Sequence, residues 1–219
     1  MCHTARRLLL ILLLISMPAV ALPGCTSTYY KTMEYFGKEK RDILSSRVQA
    51  AKTDQAQAKE QFQSALDRFS KLVNADGGDL KVAYEKAKSD LDTSQAKAQS
   101  VRDRIKSVEN VGTDLFNEWQ QEIGQYTSPD LKAKSQAQLD STRTKYNEML
   151  AAMKRAEAKM DPVLAAFKDN VLFLKHNLNA QAVASMRGTV SELEGQIASL
   201  IQEMERSMSE ADKFVAELK

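Results

Sequence analysis

Apolar residues recur at alternating steps of four and three along most of the chain. In the first such segment eight of nine positions are apolar, and Gln55 is the exception. A mean spacing of 3.5 residues is typical of coiled coils and of long helices in bundles. The pattern therefore predicts a first helix over about residues 30–74. Its positions are Leu44, Val48, Ala51, Gln55, Ala58, Phe62, Ala65, Phe69 and Leu72.

The same spacing resumes after Gly77 and Gly78 and predicts a second helix over about residues 79–125. Glycine suits a helix end and Asp79 can cap the next helix, so the pair indicates a helix-helix turn. A phosphate-binding loop would need Lys-Ser or Lys-Thr after its last glycine. Gly112 lies inside the second helix and indicates either a bend or close packing. The positions are Leu80, Tyr84, Ala87, Leu91, Ser94, Ala98, Val101, Ile105, Val108, Gly112, Leu115 and Trp119.

Ser128 followed by Pro129 is a strong signal for the start of a third helix. The apolar spacing continues through Asp161 and Pro162. Two alternatives remain open there, because Pro162 can kink one continuous helix or Asp161 can cap a new one. The positions are Leu139, Thr142, Tyr146, Met149, Met153, Ala156, Met160, Val163 and Phe167.

Residues 171–179 are apolar on more than one helical face, and we predict that they form the most buried part of the bundle, followed by a turn or kink. A last helix is predicted over about residues 180–218, with Gly188 and Gly195 as weak points. Its positions are Met186, Val190, Leu193, Ile197, Leu200, Met204, Met208, Ala211, Val215 and Leu218.

Short connections make successive helices antiparallel neighbours. The predicted fold is therefore all-α, an elongated antiparallel helical bundle or coiled coil of three to four long helices in one domain, residues 30–219. The long apolar faces could also recruit a second copy of the chain.

Three groups of residues have both a packing and a functional interpretation. Phe116 and Trp119 could stack on a ligand, Met149, Met153 and Met160 could form an adaptable binding surface, and His176 could act as a base or a pH sensor. At this spacing we favour core positions for the aromatic residues and methionines. We favour a packing or capping role for His176.

The first 24 residues have the layout of a secretory signal peptide. Arg6 and Arg7 precede an apolar run over residues 8–15, which is short for a membrane-spanning helix. The alternative is an uncleaved N-terminal anchor helix, which Pro18 and Pro23 disfavour.

Leu22, Pro23, Gly24 and Cys25 resemble the lipobox of bacterial lipoproteins, although Pro23 departs from the usual small residue. The resemblance implies lipidation and cleavage at Cys25, a lipidated linker over residues 25–29, and attachment to a membrane. Thr26 is not aspartate, which in Gram-negative bacteria resembles the pattern of lipoproteins sent to the outer membrane and facing the periplasm.

Without the leader, basic residues fall from 31 to 29 and equal the 29 acidic residues, so a basic nucleic-acid surface is not expected. His176 would be the one remaining histidine and Cys25 the one cysteine. We therefore expect no His/Cys zinc site, no catalytic cysteine, no cofactor and no enzymatic activity.

Three segments carry a resemblance to a known family: residues 30–44, residues 73–80 and residues 171–180. They resemble a family of bacterial coiled-coil proteins labelled only as a domain of unknown function. The resemblance implies an envelope lipoprotein and supplies no catalytic residues.

Three functions are compatible with the sequence. The first is a non-enzymatic helical scaffold of the cell envelope that binds a partner protein or itself. The alternative is a lipid-binding or membrane-active helical protein, indicated by Phe116, Trp119 and the apolar run over residues 171–174. A hydrolase using His176 is the third.

Overall fold

The computed structural model describes residues 39–74 and 79–218, all within the compact unit Lys38–Lys219. The predicted leader, the lipobox, the linker and the start of the first predicted helix lie outside these residues. The described part contains helices and turns and no strand. The helices are α1 (Lys40–Asn74), α2 (Leu80–Ile123), α3 (Pro129–His176), α4 (Ala180–Ser185) and α5 (Arg187–Leu218).

The four long helices form a closed, antiparallel bundle. Helix α1 packs against α2 and α5, and α3 packs against the same two helices. Ion pairs show the direction of the chains, because Lys40 near the start of α1 pairs with Glu118 late in α2, while Arg68 late in α1 pairs with Asp90 early in α2. The predicted bundle is confirmed, with four long helices.

The predicted apolar positions form the core over the whole length of the bundle. All but a few of them are buried, and Phe62, Phe69 and Phe167 are among the largest fully buried side chains. Two buried positions differ by one residue from the predicted ones: Val73 is buried in place of Leu72 near the end of α1, and Ser207 in place of Met208 within α5. The shift at Val73 follows from the mismatch between 3.6 residues per helical turn and a 3.5-residue repeat. At Ser207 the 3.5-residue repeat is kept, and the apolar Met208 lies one position off it.

Two helix starts agree with their predicted caps. The Asp79 carboxylate accepts hydrogen bonds from the backbone N–H groups of Lys81 and Val82, at 2.9 and 3.2 Å. The Ser128 hydroxyl accepts one from the N–H of Leu131, and Pro129 occupies the first turn of α3.

The structure decides between the two alternatives at Pro162. Helix α3 runs without a break from Pro129 to His176, so Pro162 lies inside it and Asp161 does not cap a new helix. Proline has no backbone N–H and its ring crowds the preceding turn, so this position weakens α3 locally.

The prediction of one continuous last helix is wrong at Met186. Helix α4 ends at Ser185 after six residues, and α5 begins at Arg187. The Met186 N–H donates to the carbonyl oxygen of Val183 at 3.0 Å, a tightened turn, while the Met186 side chain stays buried.

Candidate interaction surface

The two ends of the bundle differ from its sides in polarity. We call one end of the bundle the tip. It is formed by α4, by the last turns of α1 and α3, and by the first turns of α2 and α5. The opposite end, with the α2–α3 turn, is the base. Every exposed large apolar side chain in the described residues lies at the tip or the base. They are Val82, Leu172, Phe173 and Leu178 at the tip and Tyr126 and Leu131 at the base, each 40–53% exposed.

The prediction that residues 171–179 form the most buried part of the bundle is wrong. Val171 and Leu174 are buried, but Leu172, Phe173 and Leu178 are 46%, 40% and 41% exposed. Each helix of a four-helix bundle has one face toward the core, so an apolar run on several faces must expose some of its members.

Two of the open grooves near the tip lie between helices. One, of about 420 Å³, runs between the end of α1 and the start of α2 and is lined mainly by apolar side chains, including Phe69, Leu80 and Val82. The other, of about 390 Å³, lies between α3 and the α4–α5 junction and includes Phe173 and Met186.

The sides of the bundle carry ion pairs between neighbouring helices. Arg68 donates two hydrogen bonds to the Asp90 carboxylate, at 2.8 and 2.6 Å. This pairing raises the pKa of Arg68. Further inter-helix pairs are Lys52–Asp212, Lys59–Glu205, Arg104–Asp54, Lys145–Glu217 and Lys154–Glu109. Exposed pairs of this kind contribute about 0–1 kcal/mol each, so they make the sides polar more than they stabilise the fold.

Gly112 is explained by close packing against Tyr146, one of the two predicted alternatives. A methyl group at Gly112 would overlap the Tyr146 ring. The Tyr146 hydroxyl donates to the carbonyl oxygen of Val108 at 3.3 Å, and its ring contacts Phe116 and Phe214 with centroids 5.2 and 5.9 Å apart. Burial raises the pKa of Tyr146, and the charge of Glu109 adds to the effect.

Phe116 and Trp119 do not form a stacking pair in an open site. Phe116 is buried, as predicted, and Arg143 lies over its ring at 5.3 Å. Trp119 is half-buried: its indole N–H donates to the Ser135 hydroxyl at 2.9 Å, and Arg41 lies 5.5 Å from the ring centroid.

Met149, Met153 and Met160 are core residues, each at most 1% exposed, as predicted. His176 is exposed in the last turn of α3. Over residues 39–74 and 79–218, no group of three or more His, Cys, Asp or Glu side chains could hold a metal ion. Within the same residues, no helix has the length and apolar character needed to span a bilayer.

The family profile "Protein of unknown function (DUF2959)" matches residues 29–218, which include all five helices and the residues just before α1. The chain belongs to this family, and the resemblance to a family of unknown function is confirmed. No curated protein and no solved structure matches the chain. The family match therefore assigns no activity.

Proposed function

We propose that this protein is a non-enzymatic helical scaffold of the cell envelope, held at the outer membrane on its periplasmic side by lipid on Cys25. The main support is the distribution of apolar surface: within the described residues, the exposed large apolar side chains are confined to the two ends of the bundle. Such a bundle is suited to contacts at its ends, to a partner protein or to another copy of itself.

The core supports a rigid scaffold. Buried residues extend from Ile43 at the base, in α1, to Leu174 at the tip, in α3. Helix α3 alone spans about 70 Å at 1.5 Å per residue. Close-packed side chains along this length resist bending, since protein interiors are packed as densely as organic crystals. A contact made at the tip is thereby held at a fixed distance from one made at the base.

The lipid anchor is supported by the order of residues in the leader. A positive start at Arg6 and Arg7, a short apolar run and Leu22-Pro23-Gly24-Cys25 follow one another in the arrangement of a lipoprotein signal. Acyl chains attach a protein to a bilayer through their buried CH₂ groups, and more than one chain is needed for stable anchoring.

Crosslinking in intact cells followed by mass spectrometry tests the scaffold. We expect crosslinks from the wild-type chain to a specific envelope protein or to a second copy, and their loss in Cys25→Ala at equal protein level. Crosslinks confined to single chains in the wild type would refute the scaffold. If Cys25→Ala keeps its partner crosslinks and its membrane attachment, the lipid anchor at Cys25 is refuted but the scaffold is not.

A further inference from the structure

Three exposed apolar side chains lie together in sequence where α3 ends. Leu172 and Phe173 belong to the last two turns of α3, and Leu178 belongs to the loop before α4. Their neighbours Val171 and Leu174 are buried, so the backbone here is fixed to the bundle core. We call the segment over residues 170–191 the α3–α5 corner of the tip.

The α3–α5 corner has an unusual charge pattern. Residues 170–191 contain no aspartate or glutamate, while Lys175, His176 and Arg187 are all exposed. Asp169 and Glu192 come directly before and after residues 170–191 and line the groove near Phe173. They lie about one helical turn further from the tip than Phe173 and Arg187 do.

The opposite side of the tip carries charges of both signs. Lys81 and Lys86 line an open groove at the start of α2 together with Asp79 and Glu85. The Asp79 carboxylate is also engaged in capping α2. Within residues 170–191 the basic side chains therefore have no acidic ones among them, and this corner holds three of the four exposed large apolar side chains that the structure describes at the tip.

We propose that the α3–α5 corner docks onto the surface of an anionic phospholipid bilayer. Leu172, Phe173 and Leu178 would enter the region between headgroups and acyl chains, and Lys175 and Arg187 would keep their charges among the phosphates. Apolar side chains beside long cationic ones are the combination that binds this interface. The inference stands apart from the lipidation of Cys25, because it concerns a different part of the chain.

A tryptophan introduced at position 173 can report the depth of the corner in a bilayer. The sequence has a single tryptophan, Trp119, so full-length Trp119→Phe/Phe173→Trp carries one fluorophore at the tip. A matched variant, Trp119→Phe/Ser100→Trp, carries it at an exposed position in the middle of α2. Each is mixed with phosphatidylcholine vesicles that contain brominated acyl chains, with and without phosphatidylglycerol. Any attachment by the N-terminal segment is common to both variants.

We expect bromine to quench the fluorophore at position 173 and not the one at position 100. The quenching at position 173 should depend on the presence of phosphatidylglycerol. Replacing Lys175 and Arg187 by glutamine should weaken the binding measured at position 173 by about fivefold for each charge removed. Lys106→Gln, an exposed charge in the middle of α2, should leave it unchanged.

Three results would overturn the proposal: equal quenching at both positions, no quenching at either, or quenching at position 173 without dependence on phosphatidylglycerol. Failure here would leave the scaffold and its anchor untouched, because crosslinking tests those separately.

Discussion

The Ser207 hydroxyl donates a hydrogen bond to the Gln55 side-chain oxygen, Oε1, at 3.0 Å, and both side chains are fully buried between α5 and α1. Gln55 was the polar exception in the first apolar series, and the structure keeps it in the core. Its amide nitrogen, Nε2, has no hydrogen-bond partner in the described part of the chain. An unmatched buried donor is costly, so this pair stabilises the bundle less than apolar residues would.

The Gln55–Ser207 pair leads to a prediction on stability. Ser207→Ala should lower the free energy of unfolding by about 1–3 kcal/mol, because it leaves the Gln55 oxygen buried without a donor. Gln55→Leu combined with Ser207→Ala should restore the wild-type value or exceed it. Urea denaturation of the wild type, the two single variants and the double variant measures both effects. Additive losses in the double variant would contradict this account of the pair.

Gly112 provides a second prediction. Gly112→Ala should destabilise the bundle, although alanine favours helix by about 1 kcal/mol, because its methyl group overlaps the buried Tyr146 ring. Gly195 in α5 is the matched control, since no heavy atom outside its own backbone neighbourhood lies within 4 Å of an added Cβ. Gly195→Ala should be neutral or stabilising by up to about 1 kcal/mol in thermal or urea unfolding. Equal effects at the two sites would show that Tyr146 does not constrain Gly112.

Tyr146 predicts how stability depends on alkaline pH. Burial raises its pKa in the folded state above the ordinary value of 10.0. The folded protein therefore holds this proton more tightly than the unfolded chain, and the stability from the neutral phenol is complete below pH 10 and is lost as pH rises above it. The loss should approach about 1.4 kcal/mol per pH unit.

Urea denaturation between pH 9 and pH 11.5 measures this loss for the wild type and for Tyr146→Phe. Tyr146→Phe should be less stable at neutral pH, since the bond to Val108 is lost, but should show a shallower decline above pH 10. Identical slopes in the two proteins would contradict the assignment.

Pro162 predicts a stabilising substitution. It is exposed inside the continuous helix α3, where alanine would restore a backbone hydrogen bond and remove the clash of the ring. Pro162→Ala should raise the free energy of unfolding by about 1–3 kcal/mol. Pro129→Ala is the control, because proline at the first helical position costs no hydrogen bond. If Pro162→Ala stabilises the protein no more than Pro129→Ala does, the prediction is wrong and Pro162 does not weaken α3.

The repeating pattern predicted the helices and most of the core because burial in a long bundle depends mainly on local spacing. Asp79 and Ser128 were predictable as caps for the same reason: each cap acts on residues two or three positions away. Ser207 was missed in favour of Met208, because the apolar residue was preferred although strict alternation of four and three places Ser207 in the core.

Other features depend on partners distant in sequence. Nothing near Gly112 identifies Tyr146 as its neighbour, since the contact requires α2 and α3 to pack in one register. The exposure of Leu172 and Phe173 was likewise missed, because apolar character does not show how many neighbours a helix end has. The same run over residues 171–174 indicated the alternative lipid-binding function, but its spacing did not show which of its residues are exposed.

Site-specific photo-crosslinking in cells tests most directly whether the bundle makes its contacts at its ends. A photoreactive amino acid is placed at Phe173 at the tip, Leu131 at the base, or Ser100 on a side, all of them exposed. We expect crosslinked products, to protein or to lipid, from position 173 or 131 and a much lower yield from position 100. A yield from position 100 that equals or exceeds both ends would contradict this expectation, because the sides of the bundle would then be the contact surface.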